Sequence, residues 1–266
     1  MPFKAPVDTL LSIGGRNLTG MGMLLEIAEQ PFAAKVEDLD LIGAPYIYST
    51  KTGKRGYGFS VSGFVRKDQG SITRLHEGDA SARPESVIYA RYGNLPGAHA
   101  DLIPAVIPSG GAVDLPKDGL IKVNSLSYQL AGSGQGGVLI DGTLIANQLA
   151  ISDNAAPYLN MRHDFGESRD GPWTAITHVE IVEWDGATEL DVDLMSATPA
   201  VPPGDGRSWS RATVNGDFNF TPASGRYQDA VVAKTSDLGR WNAVRVRWTG
   251  GTRPQARIIM ALYRPA

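Results

Sequence analysis

The residues with chemistry to offer are few. His163-Asp164, with Glu167 and Asp170 just behind, has the residue types of a metal or acid–base site. Ligating histidines usually come with a second His at i+2 or i+4, and none is near, so the segment reads as a solvated polar loop. His76 and His99 are isolated and read the same way. Glu180, Glu183, Asp191 and Asp193 flank Gly186 and are the candidates for calcium, which favours clustered carboxylates. They alternate with apolar residues, so the simpler reading is one solvated sheet face. Gly132-Ser-Gly-Gln-Gly-Gly137 looks like a phosphate loop, but no Lys-Ser/Thr follows and Val138-Leu-Ile opens a strand, not a helix. A hairpin turn needing positive φ accounts for it. There is no Gly-x-Ser-x-Gly elbow and no His-Glu-x-x-His. Zero Cys removes disulfides, thiol chemistry and Cys-based zinc sites. The chain is therefore read as a non-enzyme, with no metal site and no cofactor. Among its five tryptophans, Trp173, Trp209 and Trp241 could make a sugar-stacking platform. Trp173 and Trp209, beside Gly and Ser, are the expected surface pair, with Trp241 and Trp248 in a core.

The elements that would position such residues are β-strands. Of 266 residues, 31 are Gly and 17 Pro, an excess that suggests many turns and disfavours a helical bundle. Hydrophobic residues make up 42% and charged residues 20%, enough to bury real cores. The net charge of −3 invites neither nucleic acid nor anionic lipid. No stretch approaches the roughly 18 apolar residues of a membrane helix. Met1-Pro2-Phe3-Lys4 lacks a signal-peptide core, so synthesis in the cytoplasm, without export or membrane insertion, is expected.

Seven lysines precede position 150 and only Lys234 follows it, while all five tryptophans lie in the second half. Ser152-Asp-Asn-Ala-Ala-Pro157 is a cluster of breakers. Two domains are expected: 1–150, then a linker over 151–160, then 161–266. In the first, apolar residues recur two apart at Met21, Met23, Leu25 and Ile27, and again at Phe59, Val61 and Val65. Val87 to Tyr92 is a further strand. Leu120 to Leu130 and Val138 to Ala146 read as a hairpin, and Ser71 to Glu77 as one short helix ending at Gly78. Between Ala28 and Phe59 lie about thirty residues without sustained periodicity, longer than most ordered connections. Their apolar content suggests a surface that packs against another subunit. In the second domain His178 to Trp184 and Leu190 to Met195 read as a hairpin. Asp217 to Phe220, Ala230 to Ala233, Ala243 to Trp248 and Arg257 to Tyr263 follow, with Val244, Val246 and Trp248 facing opposite to Arg245 and Arg247. Short strands at this spacing suggest a β-sandwich, Ig-like or jelly-roll-like.

The order of features over 1–150 resembles the major tail tube proteins of long-tailed (siphovirus-like) bacteriophages. It comprises a strand near 20–28, a long loop, Gly58-Phe-Ser-Val-Ser-Gly-Phe64, a short helix, Leu120-Ile-Lys-Val-Asn-Ser-Leu-Ser-Tyr128, a glycine-rich turn and Val138-Leu-Ile-Asp-Gly-Thr-Leu144. The second half resembles the outer β-sandwich extensions of such proteins, with Gly239 to Trp248 and Gln255 to Tyr263 as its closing strand pair. The resemblance implies a structural virion protein, in which six copies form a ring whose inner strands make one β-barrel. It also implies that stacked rings conduct DNA during ejection, with other tail proteins and a tape measure protein in the lumen as partners. By position, the loop from Pro31 to Tyr57 matches the ring-stacking loop, with Phe32, Glu37, Asp38, Asp40, Tyr46, Tyr48, Lys51, Lys54 and Arg55 as candidate interface residues. Lys122, Asn124 and Asp141 are lumen candidates, with Lys122 expected either to be offset by an acid such as Asp141 on a partner strand or to point away from the lumen, because a basic lining would hold a passing genome. The alternative is a virion decoration or a receptor- or carbohydrate-binding protein.

Overall fold

The computed structural model describes residues 9–19, 24–33, 36–39, 48–51, 56–64, 84–91, 93–114, 122–130, 140–151, 162–199, 209–213 and 216–264. The fold is mainly β, as expected. Its strands are β1 (Leu10–Ile13), β2 (Arg16–Asn17), β3 (Leu24–Ala33), β4 (Val36–Leu39), β5 (Tyr48–Lys51) and β6 (Gly56–Phe64). β7 (Glu85–Ala90), β8 (His99–Asp114), β9 (Lys122–Leu130), β10 (Ile140–Ala150), β11 (His163–Asp164) and β12 (Trp173–Glu183) follow. The last are β13 (Glu189–Ala197), β14 (Ser210–Arg211), β15 (Asn219–Phe220), β16 (Tyr227–Lys234), β17 (Trp241–Thr249) and β18 (Gln255–Tyr263). The expected helix at 71–77 and the glycine run at 132–137 lie outside the described residues.

One large sheet runs β16-β12-β18-β10-β8-β7-β1-β2 and curls into a nearly closed barrel. Its interior is filled by Leu10, Ile88, Ala90, Ala100, Leu102, Leu144, Ile176, Ile259 and Ala261. A second sheet, β11-β17-β13-β14 with β15 on β13, lies against the other face of β12, β18 and β10. The sandwich core between them holds Ile145, Leu149, Trp173, Val179, Ile181, Val192, Leu194, Phe218, Val244, Val246, Ile258, Met260 and Leu262. Strands β12 and β18 are thus buried on both faces. This explains why Ile258-Ile-Met-Ala-Leu262 is a continuous apolar run while β17 alternates. As expected, Val244 and Val246 point into the core and Trp248 packs against it, opposite Arg245 and Arg247.

The expected hairpins do not form. β12 and β13 belong to different sheets, as do β17 and β18, so both turns arch across the sandwich. Burial decides this: each arch lays its two strands face to face, so that their apolar sides cover each other across the core instead of the strands pairing edge to edge. The two arches interlock at one end. Asp185 and Gly186 have φ of 45° and 76°, and Gly250 and Gly251 have 72° and 54°. A Cβ at Gly251 would sit 2.2 Å from the carbonyl carbon of Gly186, so only glycine fits. Likewise β9 and β10 do not pair. β9 lies between β6 and β8, and β10 between β8 and β18. The strand between them in space is β8, hidden in the sequence by Pro104, Pro108, Gly110 and Gly111. Register shifts at Pro108/Gly110 and Ala112/Val113 accommodate these breakers as bulges. Of the expected linker, 152–160 lie outside the described residues; β10 before it pairs with β18 after it.

Candidate assembly edges and the buried polar clusters

Beyond the barrel, β8 continues into a branch ordered β8–β9–β6–β3, antiparallel at every step. Among the described strands, β3 pairs only with β6. At its first half β8 is flanked by β10 and β7, but over 107–114 its one partner among the described strands is β9. Among the described residues the branch therefore ends in two open backbone edges, β3 and the second half of β8. Ile107, where the β8 edge begins, is 41% exposed.

The segment expected as an unstructured loop is partly regular. β3 runs through Pro31 to Ala33, and β4 pairs with β5, forming a two-stranded sheet of its own. Of the candidate interface residues, Phe32 lies on β3, Glu37 and Asp38 on β4, and Tyr48 and Lys51 on β5. Asp40, Tyr46, Lys54 and Arg55 lie outside the described residues. The register sets Glu37 against Thr50, Asp38 against Ser49 and Val36 against Lys51, so the opposite charges are not direct cross-strand partners. Lys122 and Asn124 lie on β9, and the residue opposite Lys122 is Asp114 of β8. Asp141, on β10, instead binds His99 at 2.6 Å, because β10 is not a neighbour of β9.

The carboxylates considered for calcium fall on different sheets; arginines hold Glu180, Asp191 and Asp193, and Glu183 accepts from Gln255 Nε2 at 2.9 Å. Asp193 is fully buried and accepts hydrogen bonds from Arg211, from Nε and Nη2 of Arg245 at 2.9 and 2.7 Å, and from Arg247 Nε at 3.2 Å. Asp191 accepts from Arg211 Nη2 at 2.9 Å and from Arg247. Burial, and then the Asp193 charge, push the Asp191 carboxyl above its ordinary range against the pull of Arg247 and Arg211. This is no solvated face: three guanidinium groups and two carboxylates make a structural network across β13, β14 and β17. Glu180 is held similarly by Arg226 at 2.7 Å and Arg257 at 3.1 Å. The polar loop reading of His163-Asp164 gives way to β11, where Asp164 receives a two-pronged bond from Arg240, both contacts 2.7 Å.

The tryptophans reverse the expectation. Trp173 and Trp209 are buried, because Trp173 opens β12 over the sandwich core and Trp209 closes on Met195, Ala197 and Ala243. Trp241 is partly exposed, but the guanidinium groups of Arg162 and Arg240 lie over its ring at 5.8 and 5.3 Å.

Inside the barrel sits a second cluster. His178 of β12 has Nδ1 2.7 Å from Ser12 Oγ of β1 and Nε2 2.9 Å from Ser86 Oγ of β7. Ser86 donates both its backbone N–H, at 2.8 Å, and its hydroxyl, at 2.6 Å, to Asp229 Oδ2 of β16. Since the Ser86 proton goes to Asp229, Nε2 must donate to Ser86 and Nδ1 must accept from Ser12. A serine beside a histidine suggests nucleophilic catalysis, but the carboxylate holds a serine rather than the imidazole, and Ser12, Ser86 and His178 are all buried from any substrate. The cluster holds two walls together. Sequence reading passed over His178 because its partners lie 166, 92 and 51 residues away in the chain. The arginine network did leave a signal, in the matched period-two runs of β13 and β17.

No protein-family model and no curated protein matches the chain. Among solved structures it is similar to the crystal structure of the SPP1 Dit protein, described as a paradigm of hub adsorption apparatus in Gram-positive infecting phages, at 10% identity and a TM-score of 0.33 over 96% of this chain and 99% of that one.

Proposed function

We propose that this chain is a structural subunit of a bacteriophage tail, of the ring-forming tail tube type, made in the host cytoplasm and ending in the virion. The observation that carries the reading is the branch β8–β9–β6–β3 with its two open edges. Open edges of this length are aggregation hazards unless something pairs with them. Strand direction alternates across the branch, so β3 of one copy laid on β8 of the next continues the antiparallel order without a break. Such a contact is heterologous, and a heterologous contact that closes makes a ring. The separate β4–β5 sheet is suited to reach a neighbouring ring, and the C-terminal sandwich to lie outside. Lys122 opposite Asp114 is in keeping with a lumen that is not net basic and lets DNA pass.

The test is electron microscopy and sedimentation of the purified full chain, alongside Ile107→Lys. Rings or tubes in the parent protein, and folded monomers in the variant, are expected. A parent protein that stays monomeric at all concentrations overturns the reading, as does a variant that still forms normal rings.

A further inference from the structure

The barrel closes without a backbone ladder at its last step. From β16 the strands are hydrogen-bonded round to β2, but neither β1 nor β2 pairs with β16 or β12. What joins the two ends is side-chain contact. Leu10 and Ile88 share a core with Ile176, and Arg16 lies over the Tyr227 ring at 5.2 Å. The hydrogen bonds come from the chain Ser12–His178–Ser86–Asp229, each member on a different strand, with Gly15 pressed so close that a Cβ would lie 2.5 Å from the Gln228 carbonyl oxygen. We propose that this seam is a proton-operated latch: protonation of His178 releases the β1–β7 wall from the β12–β16 wall and opens the barrel while the sandwich stays shut.

The hydrogen-bond directions supply the mechanism. With Nε2 already donating to Ser86, the neutral ring must accept from Ser12 at Nδ1. A proton added at Nδ1 turns that acceptor into a donor, so the Ser12 hydroxyl has to turn its own hydrogen away into a site sealed from water. The charged groups around the ring are limited. Asp229 on β16 is directly across the ladder from His178, while β18 offers Ile259 there. From β2 and β7 come Arg16 and Glu85, joined to each other at 2.7 Å. Glu180, two positions along β12, is engaged by Arg226 and Arg257. Burial therefore outweighs Asp229 and pushes the imidazole from 6.5 down to about 4.

The sign follows from proton binding. An opened, solvated His178 titrates near 6.5 and the closed one near 4, so the open state binds the extra proton throughout that interval. Below about pH 6.5 the open population should rise roughly tenfold per pH unit, levelling off near pH 4.

Amide hydrogen exchange on the full chain at pH 7.5, 6.5, 5.5 and 4.5, corrected for intrinsic rates, tests this. Protection in β1 and β7 should fall by about tenfold per unit below pH 6.5, with protection in β13 and β17 unchanged. His178→Gln, whose amide can donate to Ser86 without titrating, should abolish the slope. Should that variant fail to fold, Asp229→Asn removes the charge that favours the closed imidazolium, so the slope should keep its onset near pH 6.5 and continue below pH 4 instead of levelling off there, read with an added measurement at pH 3.5. A parent protein whose β1 and β7 protection tracks that of β13 and β17 overturns the latch, and so does a slope that survives His178→Gln.

Discussion

Ile258 and Ile259 are neighbours on one strand and face different cores. Ile258 points into the sandwich and Ile259 into the barrel, at 0% and 4% exposure. Replacing either by Ala removes three carbons from a closed space. At about 0.8 kcal/mol per buried CH2 the transfer loss is near 2.4 kcal/mol, and the residual cavity raises the total to roughly 3–4 kcal/mol. For a chain of this size each kcal/mol moves the midpoint by about 2–4 °C, so either variant should melt roughly 10 °C below the parent. The informative part lies in the shape of the transition. Because β18 and β12 wall both cores, and are not the strands released when the β1–β7 wall opens, damage on β18 should reach both cores. At pH 7.5, where the latch is closed, both variants should shift one cooperative transition in calorimetry and near-UV circular dichroism. Two resolved transitions, with Ile258→Ala moving only one and Ile259→Ala only the other, would refute this coupling and show that the two cores fold as independent units.

The charge network makes a sharper demand on a single residue. Asp193→Asn keeps the shape but leaves Arg211, Arg245 and Arg247 facing the single charge of Asp191, so a loss of ~3 kcal/mol in chemical denaturation is expected. An unchanged denaturation midpoint would mean that water already screens the cluster. Asp164 should titrate at about 2, held down first by the hydrogen bonds from Arg240. Its contribution is present above the ordinary carboxyl pKa and is lost as the pH falls through about 2. In Arg240→Gln its carbon-detected NMR titration should return toward 3.8, and a curve that does not move would place the cause elsewhere.

The sequence by itself determined the class of the fold, most of its strands and which way many of them face. The alternation of Val244, Val246 and Trp248 with Arg245 and Arg247 is a local pattern set by the two-residue repeat of a strand, and it survives folding unchanged. Partner choice is not local. Val138-Leu-Ile140 follows a glycine-rich run of sequence after β9, which argues for a hairpin, yet β10 buries Leu144 in the barrel and Ile145 and Leu149 in the sandwich from its place between β8 and β18. Strand β8 escaped notice because its prolines and glycines sit at bulges, which exist only opposite a partner. Tertiary structure also decided the fate of the polar residues. Asp191, Asp193 and His178 stand in alternating runs that read as ordinary sheet faces. They become buried networks because arginines, serines and a second wall arrive from 18 to 166 residues away to compensate their loss of water, and no short window of sequence contains both sides of that exchange.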